Sequence, residues 1–205
     1  MMPWEHVLVG YLTFSLFAHA VYREPPTTRE AVAVVFASLL PDLVDKPMAW
    51  ELGIFDTGHA LAHSIFVAVP VSLAVVWIAW SRGWFRVGIA FAIGYLVHLA
   101  ADVIPWCFLE GEPRTHRILW PVQSSGDGFE DTGFRERFIE NVDEYAHWVI
   151  AEFTSGSPDP FLLAAFGTFL VGMLVWVYDG MPIGRELFNG TRRVVTMVVH
   201  ITRKR

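Results

Sequence analysis

The chain has 205 residues, 54% of them hydrophobic and 18% charged, with a formal net charge of -6 and a mean hydropathy of +0.41. An average soluble domain is nearer ~45–50% apolar and ~25% charged, so this composition excludes an ordinary cytosolic enzyme or a disordered chain and argues against a nucleic-acid binder. The single cysteine, Cys107, excludes both an intrachain disulfide and a thiolate metal cluster.

Four apolar runs approach the ~20 residues that cross a bilayer core: 6–22, 61–80, 87–108 and 161–178. The first is retained in the mature protein, because Glu5 replaces the positive start of a signal peptide and no small-residue cleavage site follows. A fifth run, 31–40, is short. Thr27 and Glu30 have capping-box spacing, so it is predicted to start near Thr28 and to end at Pro41. Between the third and fourth long runs lies an acidic stretch, 105–158, with ten acidic residues against four basic ones; it carries the whole negative excess of the chain. Within it, Gly126-Asp127-Gly128 and Gly133 read as turns, and 134–153 reads as an amphipathic helix that lies on the membrane or caps a site. The tail 191–205 is basic with apolar interleaving, a positive-inside anchor or an element lying on anionic lipid.

The expected fold is an all-α, polytopic membrane helical bundle: four spanning helices plus one shorter helix, with an acidic extramembrane insert. Residues 1–122 form the metal-binding membrane core, 123–158 the acidic extramembrane loop, and 159–205 the last span and a basic cytoplasmic tail. Arg82, Arg86 and the arginines and lysine of the tail set the orientation by the positive-inside rule. Alternating the spans then places 23–29 inside with them, and puts the N-terminus, 41–58 and the acidic stretch outside the cytoplasmic membrane.

Ionisable side chains inside apolar runs cost ~2.5–3.5 kcal/mol at mid-helix and so require a reason. His59 and His63 are spaced i,i+4, as are His98 and Asp102, while Asp42 and Asp45 are i,i+3; each pair shares one helical face. Together with His6, all seven fall at the same membrane face. Imidazole and carboxylate are a donor set for a divalent metal, Zn²⁺ first and Mn²⁺ second, and seven candidates exceed the four of a closed zinc site. One ion with orienting carboxylates, or two ions, accounts for the surplus. The bland reading is a polar network that locks helices together. Haem ligation by His63 and His98 leaves the aspartates unexplained, and an ion pathway would spread ionisable residues through the membrane depth. His19, His147 and His200 read as interfacial or hydrogen-bonding residues.

The ordered segments Trp4-Glu5-His6, Leu40-Pro41-Asp42-Leu43-Val44-Asp45, Gly58-His59-Ala60-Leu61-Ala62-His63-Ser64, His98-Leu99-Ala100-Ala101-Asp102 and Leu119-Trp120-Pro121 resemble the YdjM-like, LexA-binding, inner-membrane-associated family of metal-dependent hydrolases. The resemblance implies a multi-helix membrane protein in which His6, Asp42, Asp45, His59, His63, His98 and Asp102 bind metal. It also implies hydrolase chemistry with a distant likeness to zinc phospholipases and nucleases. Family members often carry Arg-Gly inside the His-x-x-x-His segment, where this chain has Ala60-Leu61. A LexA-type partner would be cytoplasmic, whereas the charge bias turns the motif face outward, so the protein partner is left unassigned.

The expected function is hydrolysis of a phosphoester or lipid-like substrate by metal-activated water, with Asp45 or Asp102 as general base. Arg114, His116 and Arg117 are the candidate substrate-binding residues, through charge contacts to a phosphate. The alternative is a non-catalytic, metal-stabilised scaffold or partner-binding protein.

Overall fold

The computed structural model describes residues 2–109, 111–124 and 133–188. The tail 191–205, with His200, and the Gly126-Asp127-Gly128 turn lie outside the described residues. Among the described residues the chain is all helical: α1 (Pro3–Phe17), continued by a π-helical turn (Ala18–Tyr22), α2 (Thr28–Trp50), α3 (Ile65–Ser81), α4 (Phe85–Leu109), a 3₁₀ turn (Thr115–Arg117), α5 (Phe134–Thr154) and α6 (Pro160–Tyr178).

The capping box predicted at Thr27 and Glu30 is present: Thr27 Oγ1 accepts from the Glu30 N–H, and Glu30 accepts from the Thr27 N–H at 2.8 Å. The predicted stop at Pro41 is not. Helix α2 runs on through Pro41 and Pro47 to Trp50, a length of about 34 Å at the helical rise. A proline lacks only its own N–H and can be held mid-helix when neighbouring helices pack against the break; Pro41 is buried. The apolar run predicted over 61–80 also begins later as a helix. Helix α3 starts at Ile65, so His59 and His63 lie in the loop before it and not on a helical face.

Among the described residues two helices, not the four expected, are long and apolar enough to cross a membrane, Phe85–Phe108 and Pro160–Tyr178; Ile65–Ser81 is apolar but shorter. Helix α2 has the length but carries Glu30, Asp42, Asp45 and Lys46.

Helices α2 and α4 pack most intimately, with α1 and α3 against α4 and α6 outside α1. Small residues set the closest approach, as between membrane helices generally. A Cβ on Gly94 would stand 2.6 Å from the Val34 carbonyl, and one on Gly10 would collide with Ser38 Oγ. The core is filled by Phe14, Val34, Tyr95 and Leu99. This close α1/α2/α4 junction carries His6, Asp42 and His98 side by side.

Candidate metal centre

His63 and His98 form the middle of the site, their Nε2 atoms 3.1 Å apart and both side chains fully buried. Each ring is oriented from behind. His98 Nδ1 donates to the Ser38 carbonyl at 2.6 Å, and His63 Nδ1 bonds Asp45 Oδ2 at 2.8 Å. Committing Nδ1 to a donor role leaves the Nε2 lone pair as the metal-facing one.

Two carboxylates close on this pair. Asp42 Oδ1 is 3.5 Å from His63 Nε2 and 3.9 Å from His98 Nε2. Asp102 Oδ2 is 3.6 Å from each. Around a tetrahedral ion with bonds of about 2.0–2.2 Å, ligand atoms stand about 3.3–3.6 Å apart; the contacts at 3.5 and 3.6 Å fall in that range, while those at 3.1 and 3.9 Å lie on either side of it. His6 Nε2 reaches Asp102 Oδ1 at 3.4 Å and its ring stacks on His98 at 3.8 Å between centroids. His59 Nε2 lies 3.8 Å from Asp102 Oδ2. Three overlapping triads therefore bring candidate ligand atoms within 4.8 Å of one another: Asp42/His63/His98, His6/His98/Asp102 and His59/His63/Asp102. A porphyrin does not fit between imidazole nitrogens in direct contact, so the haem alternative finds no place here.

Asp45 belongs to none of the three triads. It sits behind His63, and its oxygens are taken up by the backbone of the His loop. Oδ2 accepts the N–H of Ala60 at 2.9 Å and of His63 at 3.0 Å, and Oδ1 accepts that of Ala62 at 2.9 Å. Tyr95 donates to the Ala62 carbonyl at 2.7 Å from the other side. The loop that carries both histidines is thus wound around one buried carboxylate.

The donor set suits a cation. Two buried atoms, His6 Nδ1 and Asp42 Oδ2, have no hydrogen-bond partner among the described residues, an arrangement that costs free energy unless something else satisfies them. Burial alone would depress His63, but the carboxylates of Asp42, Asp45 and Asp102 outweigh it and lift its pKa to about 9. Burial, with the neighbouring His63, pushes His59 well below the ordinary imidazole range. The field around His63 Nε2 favours positive charge.

A cleft of about 480 Å³ opens directly on the cluster, lined on the metal side by His6, Asp42, His59 and Asp102. Its cationic groups are Lys46, Arg117 and Arg137. Helix α5 lines it with Asn141, Glu144, Tyr145 and Trp148, and is tied down by Tyr145 to Glu5 Oε1 at 2.9 Å and by the Phe134 N–H to Glu51 at 2.9 Å. Burial and the Glu5 carboxylate push the Tyr145 phenol up to about 12. Of the three candidate phosphate contacts, Arg117 lines the cleft while Arg114 and His116 do not. Arg114 stacks on Trp106, 3.4 Å above the ring centre.

Residues 1–183 match the family described as YdjM inner membrane protein. The chain belongs to this family. It is an inner membrane protein with a buried His/Asp cluster that could hold a metal ion. No curated protein and no solved structure matches it.

Three features escaped the sequence reading. Lys46 pairs with Asp42 at 2.8 Å, i,i+4 on α2; taking Pro41 as the helix end hid that face. The Ser38 carbonyl is a backbone group and leaves no signal of side-chain type. Asp179 is the third: His19, read as an interfacial or hydrogen-bonding residue, brings its Nε2 within 2.7 Å of Asp179 Oδ1, and Tyr11 and Ser15 also donate to that buried carboxylate.

Proposed function

We propose that this chain is a multi-pass, metal-dependent hydrolase of a phosphoester or lipid-like substrate, with four spanning helices and its metal face at the outer side of the cytoplasmic membrane. The observation that carries the reading is the cleft. A cluster serving only to hold helices together would be sealed, whereas this one forms one wall of a 480 Å³ opening whose lining includes Lys46, Arg117 and Arg137.

His6, Asp42, His59, His63, His98 and Asp102 would hold one divalent ion or a close pair, zinc being the first candidate and manganese the second. Such an ion supplies Lewis acidity, lowering the pKa of water and offsetting phosphoryl charge. Asp45 and the Ser38 carbonyl keep the imidazoles of His63 and His98 in the productive tautomer and orientation. Of the two carboxylates considered for general base, Asp45 is engaged by four donors, which favours Asp102, a residue lining the cleft. Arg117, with Lys46 and Arg137, would bind and orient the phosphate, and α5 would exclude bulk water.

The test is turnover of phosphodiester and phospholipid panels by protein purified in detergent, with chelator and metal-readdition controls. Activity that is lost on chelation, restored by metal and absent from Asp102→Asn supports the proposal. A metal-replete protein inert to the whole panel favours the scaffold alternative.

A further inference from the structure

The cleft does not end at the His/Asp cluster. Beside it, toward α1, lies a second cavity of about 160 Å³ between α1, α5 and α6, and Glu5 and Tyr145 line both. Beyond that hydrogen-bonded pair the lining becomes apolar. The second cavity shares Trp4, Leu8 and Phe169 with a third, of about 290 Å³, that lies between α1, α2 and α6 and is lined as far as Trp176 and Ile183. From Leu162 to Trp176 the track follows α6 for about 21 Å, more than half of a ~30 Å hydrocarbon core. Gly172 and Leu8 form its floor: α6 approaches α1 so closely there that a Cβ on Gly172 would collide with the Leu8 side chain.

Neighbouring cavities thus change character along this side of the molecule, from a cleft that sets Lys46, Arg117 and Arg137 beside the carboxylates of Asp42, Asp102 and Glu144, past Glu5 and Tyr145, to an apolar groove along α1 and α6. A water-soluble phosphoester would use only the first part. We infer that the ligand is a lipid with an anionic phosphate headgroup, entering sideways from the bilayer, with the head in the cleft and an acyl chain in the α1/α6 groove. This rests on reading the cluster as a phosphoester site.

The experiment uses the full chain in phosphatidylcholine nanodiscs and phosphatidic acid carrying a photoreactive diazirine at the end of one acyl chain. Adducts mapped by mass spectrometry are expected on α1 and α6, at Leu8, Phe169 or Met173. They should exceed those from the matching diacylglycerol probe by about tenfold or more, the scale of one lost charge-assisted hydrogen bond. Ala165→Phe, which fills the middle cavity, and separately Met173→Trp, which fills the deep one, should each abolish the headgroup-dependent part. Lys46→Ala with Arg117→Ala should reduce phosphatidic acid labelling to the diacylglycerol level. Equal labelling by both probes means annular lipid only and overturns the inference, as does headgroup-dependent labelling outside α1 and α6. Hydrolysis of phosphatidic acid and of a soluble phosphodiester, followed in parallel with the labelling, separates the two proposals. Labelling without any hydrolysis defeats the enzymatic reading and leaves the lipid site standing; hydrolysis without labelling does the reverse.

Discussion

Replacing Asp45 with asparagine distinguishes a carboxylate that binds metal from one that holds the groups that do. The wild-type side chain accepts four hydrogen bonds, three from the backbone of the His loop and one from His63 Nδ1. Asparagine keeps the shape but offers one acceptor oxygen, so at least one buried N–H faces an amide NH₂ and loses its partner. An unsatisfied buried donor costs about 1–3 kcal/mol, enough to loosen the loop without unfolding the bundle. Metal affinity should fall about 10–100-fold, as for other residues that orient a metal-binding imidazole, equivalent to about 1.4–2.7 kcal/mol. Calorimetric titration of Zn²⁺ and Mn²⁺ into detergent-solubilised protein measures this, with Asp102→Asn and His63→Ala as direct-donor comparisons that should lose binding altogether. An unchanged affinity in Asp45→Asn, or a loss as complete as that of His63→Ala, would refute the reasoning.

Gly94→Ala should lower thermal stability by about 1–3 kcal/mol through overpacking and weaken metal binding, because the new Cβ meets the Val34 carbonyl and parts α2 from α4; Gly167→Ala, with open space around it, should do neither in the same melts and titrations. Asp179→Ala strands the Tyr11, Ser15 and His19 donors and should cost about 2–4 kcal/mol in a denaturation assay while leaving metal affinity intact. The Tyr145 phenol, raised by burial and by Glu5 to about 12, contributes α5 docking that is full below its ordinary value of about 10 and is lost as pH climbs through about 12. Trp148 fluorescence should therefore hold steady to about pH 10 and shift above it, with Tyr145→Phe removing the transition.

Much of the fold was legible because apolar runs and capping chemistry are local signals. The amphipathic helix predicted over 134–153 is α5, and the Thr27/Glu30 box opens α2. What misled was proline. Read as a stop, Pro41 truncated α2 and concealed the helical face shared by Asp42 and Lys46. In a tightly packed bundle the neighbouring helices hold the proline in place, a tertiary effect that no local pattern records. His59 and His63 illustrate the converse. Their i,i+4 spacing suggested a helical face, yet they are gathered by a loop wound on Asp45, so the residues converge by a route the periodicity did not describe. The triads also draw on both ends of the sequence interval from His6 to Asp102, and a single sequence indicates which residue types are available but not which oxygen faces which nitrogen.

X-ray absorption at the metal edge of protein purified without chelators tests the central claim most directly. The account predicts at least one divalent ion per chain, with nitrogen and oxygen neighbours at about 2.0–2.2 Å, an imidazole scattering signature and no sulfur, all lost in the paired variant His63→Ala with Asp102→Ala. Metal at less than about a tenth of an equivalent, or a signal that the paired variant leaves unchanged, would contradict it.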